Sequence, residues 1–118
     1  MKLLIVDDNA AIRQLMRSIV TPVASDIHEC TDGSEAVAAY ASERPDLVLM
    51  DIRMRNVDGI TATKQIMAFD PWARIIMVSD YDEAPLRMAS IAAGARGFAP
   101  KSNLLDLLRL IEQLMKDS

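Results

Sequence analysis

Five polar residues of this chain follow short apolar segments, and their types suit metal binding and group transfer. Asp51 comes directly after the apolar run 47–50, which has Pro45 shortly before it and a polar loop after it. A continuous apolar run predicts a strand that is buried on both faces, as in parallel sheets. The other four residues also stand at predicted strand ends: Asp7, Asp8, Ser79 and Lys101. In open α/β sheets, ligands bind at this edge.

Together these side chains predict a site for a hard divalent cation and a phosphoryl group. The carboxylates of Asp7, Asp8 and Asp51 repel one another where they meet, so each pKa is raised unless a cation is present. Oxygen ligands without a neighbouring His or Cys favour Mg²⁺ over Zn²⁺. Lys101 and one such ion bring the formal charge to zero, so that the site can accept a phosphoryl group. Taken singly, Asp7 or Asp8 equally suits a helix-capping role.

Length and composition indicate one domain that spans residues 1–118, because 118 residues with 51% apolar content suffice for a single core. The net charge of -4 argues against direct nucleic-acid binding by this domain and against an anionic membrane surface. Cys30 is the single cysteine, and no signal-peptide pattern stands at the N-terminus, so a reduced, cytoplasmic location is predicted. No apolar run approaches the roughly 18 residues of a membrane span.

The hydrophobic pattern alternates between strand and helix periods. Strands are predicted over residues 2–6, 26–30, 47–51, 75–78 and 97–99. Helices are predicted to begin after Asn9, at Gly33, at Asp58-Gly59, near Pro85 and after a cap at Ser102 or Asn103. Repeated β–α units with short connections give a parallel sheet with right-handed crossovers and helices on both faces. The fold class is therefore a three-layer α/β sandwich.

The residues at these positions resemble the receiver domain of two-component response regulators over essentially the whole chain. The resemblance is carried by Asp7-Asp8, Asp51, Asp58-Gly59, Ser79, Phe98 and Lys101. It implies a flavodoxin-like, doubly wound five-stranded parallel sheet with strand order 2-1-3-4-5. It also implies a phosphorylation-dependent signalling switch that is not an enzyme beyond its own phosphorylation and dephosphorylation.

The family likeness implies that Asp51 is the phosphoacceptor and receives its phosphoryl group from a phosphohistidine. The donor would be a sensor histidine kinase or a phosphotransfer protein. Asp8 would bind Mg²⁺ (or Mn²⁺) directly, with Asp7 acting mostly through a bound water and Arg53 through its backbone carbonyl. An ionised carboxylate needs no general base, so positioning and charge neutralisation dominate the reaction.

The likeness also implies a switch and an output surface. Lys101 and Ser79 would hold phosphoryl oxygens, and Phe98 would enter the space that Ser79 leaves. Taken alone, Phe98 suits a core position better than a switch role, because large aromatic residues fill cores more often than they gate them. A target, a fused output domain or a second copy would dock on the helix that begins near Pro85, strand 97–99 and the last helix. A Gly-Ala-Arg-Gly-aromatic segment slightly favours the receiver of a longer transcriptional regulator.

Three departures from the family pattern concern loops of the site. Arg55 stands where family members usually have proline, and Asp80 stands where they usually have a small residue. We hypothesise that Arg53 or Arg55 pairs with Asp80 across the mouth of the predicted site, and that this pair slows both gain and loss of the phosphoryl group. An alternative is that Asp80, together with Asp82 and Glu83, favours the start of the next helix through its dipole. Ser102 replaces a proline, so the cis bond of those members is not expected.

Two other function classes are compatible with parts of the pattern. A pseudo-receiver would have the same fold and bind partners without phosphorylation, and Asp80 favours this alternative. An Asp-nucleophile phosphatase would also use Mg²⁺ and an acyl phosphate. That class carries Asp-x-Asp after its first strand, whereas this chain has Asp7-Asp8-Asn9.

Overall fold

Strands and helices alternate along the chain in a computed structural model that describes residues 1–81 and 83–117. The strands are β1 (Lys2–Val6), β2 (Asp26–Cys30), β3 (Leu47–Asp51), β4 (Ile75–Ser79) and β5 (Gly97–Pro100). The α-helices are α1 (Ala10–Val20), α2 (Ala36–Glu43), α3 (Gly59–Phe69), α4 (Ala84–Ala93) and α5 (Leu107–Lys116). Short 3₁₀ segments cover Gly33–Glu35 and Lys101–Asp106. Asp82, for which a helix-dipole role is predicted, lies outside the described residues.

All five strands are parallel and form one sheet in the order β2-β1-β3-β4-β5. This confirms the predicted flavodoxin-like, doubly wound three-layer sandwich. Met50 of β3 pairs with Val6 of β1, and Asp51 pairs with Val78 of β4. The chain segments that follow β1 and β4 therefore leave the sheet on either side of Asp51.

Two hydrophobic layers explain why the central strands are continuously apolar. Every residue of β3 and β4 is buried, because their side chains alternate between the two layers. One layer lies under α2, α3 and α4 and contains Tyr40, Met50, Ile66 and Met77. The other lies under α1 and α5 and contains Ile5, Met16, Leu49 and Ile111. β2 is at the sheet margin and only partly buried, as its alternating pattern predicts.

Local capping residues set where two of the helices begin and where another ends. The Asn9 side chain accepts from the backbone N–H groups of Ala11 and Ile12 at 2.9 and 3.1 Å, as predicted for an N-cap. The carboxylate of Asp58 caps α3. Gly94 ends α4 with φ of 114°, a backbone conformation that favours glycine. No helix within residues 1–81 and 83–117 is both long enough and apolar enough to cross a bilayer.

The start of the last helix differs from the prediction. Neither Ser102 nor Asn103 caps it, because Lys101–Asp106 forms a 3₁₀ segment in which Asn103 has non-helical angles of -139° and 58°. α5 begins only at Leu107. This tighter path buries Leu104, which is 5% exposed and packs under α1 and α5, so apolar burial overrides the local capping signal. Every peptide bond in the described residues is trans, including the one before Ser102.

Candidate functional site

The carboxyl ends of β1, β3, β4 and β5 meet around a cavity of about 230 Å³. Four of the five predicted strand-end residues line it: Asp8, Asp51, Ser79 and Lys101. Asp7 lies directly beneath them with no exposed surface, and its carboxylate contacts the Lys101 side chain. The structure therefore brings together all five polar residues that the sequence places at strand ends.

Lys101 connects two of the three carboxylates. Its Nζ lies 2.9 Å from Oδ2 of Asp7 and 3.1 Å from Oδ1 of Asp51, and its side chain is only 7% exposed. Burial acts to lower the pKa of Lys101, but the hydrogen bond to Asp7 and the charge of Asp51 outweigh it and raise that pKa. The lysine is therefore a fixed cation at the floor of the cavity.

The acidic cluster has the composition of a site for a hard cation. Asp7, Asp8 and Asp51 each offer one carboxylate oxygen, and these oxygens lie within 4.8 Å of one another. Asp51 is 4% exposed, whereas Asp8 is exposed and gives access from solvent. Burial, followed by repulsion from Asp7, raises the pKa of Asp51 to about 6, although Lys101 acts in the opposite direction. An all-oxygen set with excess negative charge fits Mg²⁺ or Mn²⁺.

The backbone around Asp51 is closely packed. The amide of Ile52 donates to Oδ1 of Asp51 at 2.9 Å, and the amide of Gly59 donates to the Ile52 carbonyl at 2.7 Å. A Cβ atom at Gly59 would overlap the carbonyl oxygen of Asp51, which explains the glycine at the start of α3. The Asp51 carboxylate and the chain that follows it are therefore held in place by local hydrogen bonds and by the close approach of Gly59.

Ser79 lies across the cavity from the acidic cluster, at the end of β4. It is 1% exposed, and its hydroxyl oxygen accepts a hydrogen bond from the Tyr81 amide at 3.0 Å. Within residues 1–81 and 83–117 the hydroxyl donates to no acceptor, so its proton is available to an anionic oxygen in the cavity.

Phe98 occupies a different place from the cavity residues. It is half-buried on β5 and packs against the layer under α2, α3 and α4. The guanidinium of Arg87 lies 4.6 Å from the centre of its ring. In this structure Phe98 therefore has the environment of a core-margin aromatic residue, next to α4.

The hypothesised ion pair across the mouth is not formed. Among the described residues, neither Arg53 nor Arg55 makes an ion pair with Asp80. The Arg53 guanidinium instead lies 4.2 Å from the centre of the Tyr81 ring, and both residues line the cavity together with Asp80. Arg55 lines a separate cavity beside Asp8. An aromatic face is less strongly hydrated than an exposed carboxylate, so the guanidinium gives up less solvation by lying over the ring of Tyr81.

Sequence reasoning missed three residues that shape this site. Tyr81 lines the cavity and is 43% exposed, and Arg13 donates from Nη1 to the Asp7 carbonyl at 2.8 Å. Asp32 connects the loop after β2 to the loop after β3. The only sequence signal for Asp32 is the Asp-Gly pair before a helix, which is typical of a turn and does not reveal the second loop as its partner.

Comparison with known proteins gives one family. The family model described as the response regulator receiver domain matches residues 3–113. The chain is 39% identical over 118 residues to the chemotaxis protein CheY of Thermotoga maritima, covering 99% of this chain and 97% of that protein.

Two solved structures extend this comparison. The response regulator domain of Thermotoga maritima CheB superimposes with a TM-score of 0.87 at 32% identity, over 98% of this chain and 96% of that one. The structure of the CheX-CheY-BeF3-Mg complex from Borrelia burgdorferi superimposes with a TM-score of 0.83 at 34% identity. The match covers 98% of this chain and 87% of that one.

Proposed function

Because this chain belongs to the response regulator receiver domain family, we propose that it is a signalling switch in which Asp51 accepts a phosphoryl group. The donor is a phosphohistidine on a sensor histidine kinase or a phosphotransfer protein. One observation carries this proposal: the buried Asp51 carboxylate faces both a fixed lysine, 3.1 Å away, and an open cavity. We also propose a cytoplasmic location, which the free thiol of Cys30 supports.

The proposed transfer is an in-line displacement at phosphorus. A carboxylate oxygen of Asp51 forms the new O–P bond while the N–P bond to the donor histidine breaks, and the imidazole leaves as a neutral ring once it carries a proton. Lys101 Nζ balances charge on a phosphoryl oxygen, and the hydroxyl of Ser79 donates to another. Water later attacks the phosphorus of the acyl phosphate, the O–P bond to Asp51 breaks, and inorganic phosphate leaves, which returns Asp51 to its free carboxylate form.

We assign the metal to the same edge of the sheet, held by Asp8 and Asp51 with Asp7 acting through water. Arg53 would contribute its backbone carbonyl, as in the family pattern. The fit is supported by the three carboxylate oxygens within 4.8 Å of one another and by the exposure of Asp8. When bound, Mg²⁺ supplies positive charge that offsets the charge of the transferring oxygens.

The output is proposed to be a change of the surface formed by α4, β5 and α5. Ser79 moves toward the phosphoryl group, and Phe98 follows inward from its half-buried position. Three large apolar side chains on α4 and the segment before α5 are well exposed: Met88 at 70%, Ile91 at 68% and Leu105 at 87%. They suit contact with a protein target, a fused output domain or a second copy of the chain.

A small phosphodonor tests the proposed reaction without knowledge of the kinase. The protein is incubated with acetyl phosphate, with Mg²⁺ or with EDTA, and its intact mass is measured. We expect one added phosphoryl group that requires Mg²⁺ and that borohydride reduction locates at Asp51. No modification at any Mg²⁺ concentration would instead favour the pseudo-receiver, and turnover of varied phosphoesters would favour the phosphatase.

The contact between Arg53 and Tyr81 is expected to slow the entry of the phosphodonor and of hydrolytic water into the cavity. A guanidinium over an exposed ring is worth about 0.5–1 kcal/mol. Replacing Arg53 by Ala should therefore speed both phosphorylation by acetyl phosphate and loss of the phosphoryl group by about two- to fivefold. Rates are measured by quenching and intact mass. Asp80 and Arg55 remain proposed modulators of the same two rates.

A matched control for this prediction lies at the opposite edge of the sheet. The guanidinium of Arg44 lies 4.8 Å from the centre of the Phe69 ring, so Arg44→Ala removes a similar contact without touching the cavity. It should leave both rates unchanged. Tyr81→Leu should reproduce the effect of Arg53→Ala, and the double variant should add nothing further. Additive effects of the two changes would contradict a shared contact.

A further inference from the structure

The loop between β2 and α2 is fastened to the loop between β3 and α3 by one carboxylate. Oδ2 of Asp32 accepts the amide of Ser34 at 2.9 Å within its own loop, and Oδ1 accepts the amide of Asn56 at 3.1 Å. The second partner is 24 residues away in sequence. Asp32 is only 7% exposed, so these part-buried contacts are partly shielded from solvent.

These hydrogen bonds stabilise the ionised form of Asp32. Hydrogen bonds from Ser34, followed by those from the amides of Asn56 and Val57, hold the pKa of Asp32 at about 2. A carboxylate that accepts several N–H groups forms stronger hydrogen bonds than a neutral acceptor does. The connection between the two loops is therefore present throughout the physiological pH range.

Gly33 provides a second, independent contact between the same loops. A Cβ atom at Gly33 would overlap the carbonyl oxygen of Val57, and it would also crowd the Cβ atom of Ala62 at 3.3 Å. The φ angle of Gly33 is not in the left-handed region, so the backbone conformation does not require glycine. Glycine is needed here because the backbone of Val57 approaches too closely for a side chain. The Asp32-Gly33 pair thus holds Asn56 and Val57 by one charged contact and one steric fit.

The loop held in this way leads directly from Asp51 to α3. It carries Arg53, whose carbonyl is assigned to the metal, and it lies beside Asp8. A cavity of about 340 Å³ between the two loops is lined by Asp8, Thr31, Asp32, Arg55 and Asn56. Any movement of Asn56 therefore changes the space next to the exposed metal-binding carboxylate.

We propose that Asp32 is a positioning residue of the metal and phosphoryl site, because it fixes the β3–α3 loop next to Asp8 through the amide of Asn56. This inference rests on the proposed function, since it assigns the loop a role in binding the ion. Asp32 itself touches neither the ion nor the phosphoryl group.

Mg²⁺ affinity, measured by isothermal titration calorimetry, tests this role. Asp32→Ala should weaken Mg²⁺ binding by about three- to tenfold, less than or equal to the loss on removing a group that hydrogen-bonds a metal ligand directly, because Asp32 acts through the amide of Asn56. Asp32→Asn keeps an oxygen acceptor and should therefore lose less Mg²⁺ affinity than Asp32→Ala. Gly33→Ala should weaken binding by displacing the same loop without any change of charge. Saturating Mg²⁺ should restore most of the phosphorylation rate.

Asp70 provides the matched control. Its carboxylate accepts the Tyr40 hydroxyl at 2.7 Å and the Trp72 amide at 3.0 Å at the opposite edge of the sheet. Asp70→Ala should lower stability but leave Mg²⁺ affinity unchanged. In metal-free protein, hydrogen exchange of residues 52–58 should accelerate in Asp32→Ala and not in Asp70→Ala.

The outcomes separate this inference from the proposed function. If the wild-type chain binds Mg²⁺ and takes up a phosphoryl group while Asp32→Asn and Gly33→Ala bind Mg²⁺ as tightly as it does, the positioning role is wrong and the function stands. If the wild-type chain does neither, the proposed function is wrong. Should Asp32→Ala not fold, the two milder variants decide the question.

Discussion

Replacing Asp51 with Asn is expected to abolish phosphoryl uptake and, in metal-free protein at neutral pH, to stabilise the fold. The first effect follows from the loss of the nucleophilic oxygen. The second follows from burial: Asp51 is 4% exposed, and burial together with Asp7 raises its pKa from 3.8 to about 6. Above pH 6 the fold therefore holds an ionised carboxylate that is more stable in the unfolded chain.

The sign of the pH dependence is fixed by this raised pKa. The stability that protonated Asp51 contributes is fully present below pH 3.8 and is lost as the pH rises through about 6. A difference of about two pKa units corresponds to at most about 3 kcal/mol. Because Asn also loses the charged contact with Lys101, we expect a net gain of about 1–2 kcal/mol at pH 7.5 and almost none near pH 4.

Urea unfolding in EDTA at several pH values measures this gain. Mg²⁺ should stabilise the wild-type chain more than Asp51→Asn, since the ion relieves the same repulsion. Asp46→Asn is the control: this exposed carboxylate accepts the Lys2 amide at 2.8 Å, far from the cavity, and its replacement should change neither phosphoryl uptake nor the pH profile. A variant at Asp51 that is less stable at pH 7.5, or that still takes up phosphoryl, would contradict the assignment.

The convergence on Asp51 could be predicted from sequence because it depends on strand ends alone. Continuous apolar runs identify doubly buried strands, and parallel strands joined by helices place all their carboxyl ends at one edge. Asp7, Ser79 and Lys101 therefore had to lie near Asp51 once the strand order was known. The resemblance to the receiver family supplied that order, and the sheet has it.

Contacts between loops could not be predicted in the same way. Opposite charge predicts that Arg53 or Arg55 pairs with Asp80, but the guanidinium of Arg53 lies over the ring of Tyr81. Opposite charges on neighbouring loops meet only if both backbones aim the side chains at each other, and exposed ion pairs gain too little to enforce that. Asp32 is a similar case, because its partner amide has no side-chain signature in the sequence.

Replacing Lys101 with Met should destabilise the metal-free protein strongly and Mg²⁺-bound protein much less. Lys101 Nζ lies 2.9 Å from Asp7 and 3.1 Å from Asp51, and these two carboxylates are 0% and 4% exposed. Removing one partner of a buried ion pair leaves uncompensated charge and typically costs about 3–5 kcal/mol. We expect a loss of about 3 kcal/mol in EDTA, measured by urea unfolding.

Charge neutralisation and simple packing predict different responses of this variant. If charge dominates, Mg²⁺ should recover a large part of the loss, and adding Asp51→Asn to Lys101→Met should recover about half of it, because the repulsion with Asp7 is removed. Lys2→Met is the control: its Nζ lies 3.9 Å from Asp26 in an exposed pair and donates to the Glu43 carbonyl at 3.0 Å, so its replacement should cost only about 1 kcal/mol, with no recovery on addition of Mg²⁺. A loss that neither Mg²⁺ nor the second substitution reduces would assign Lys101 a packing role, and the phosphoryl site would then lack its fixed cation.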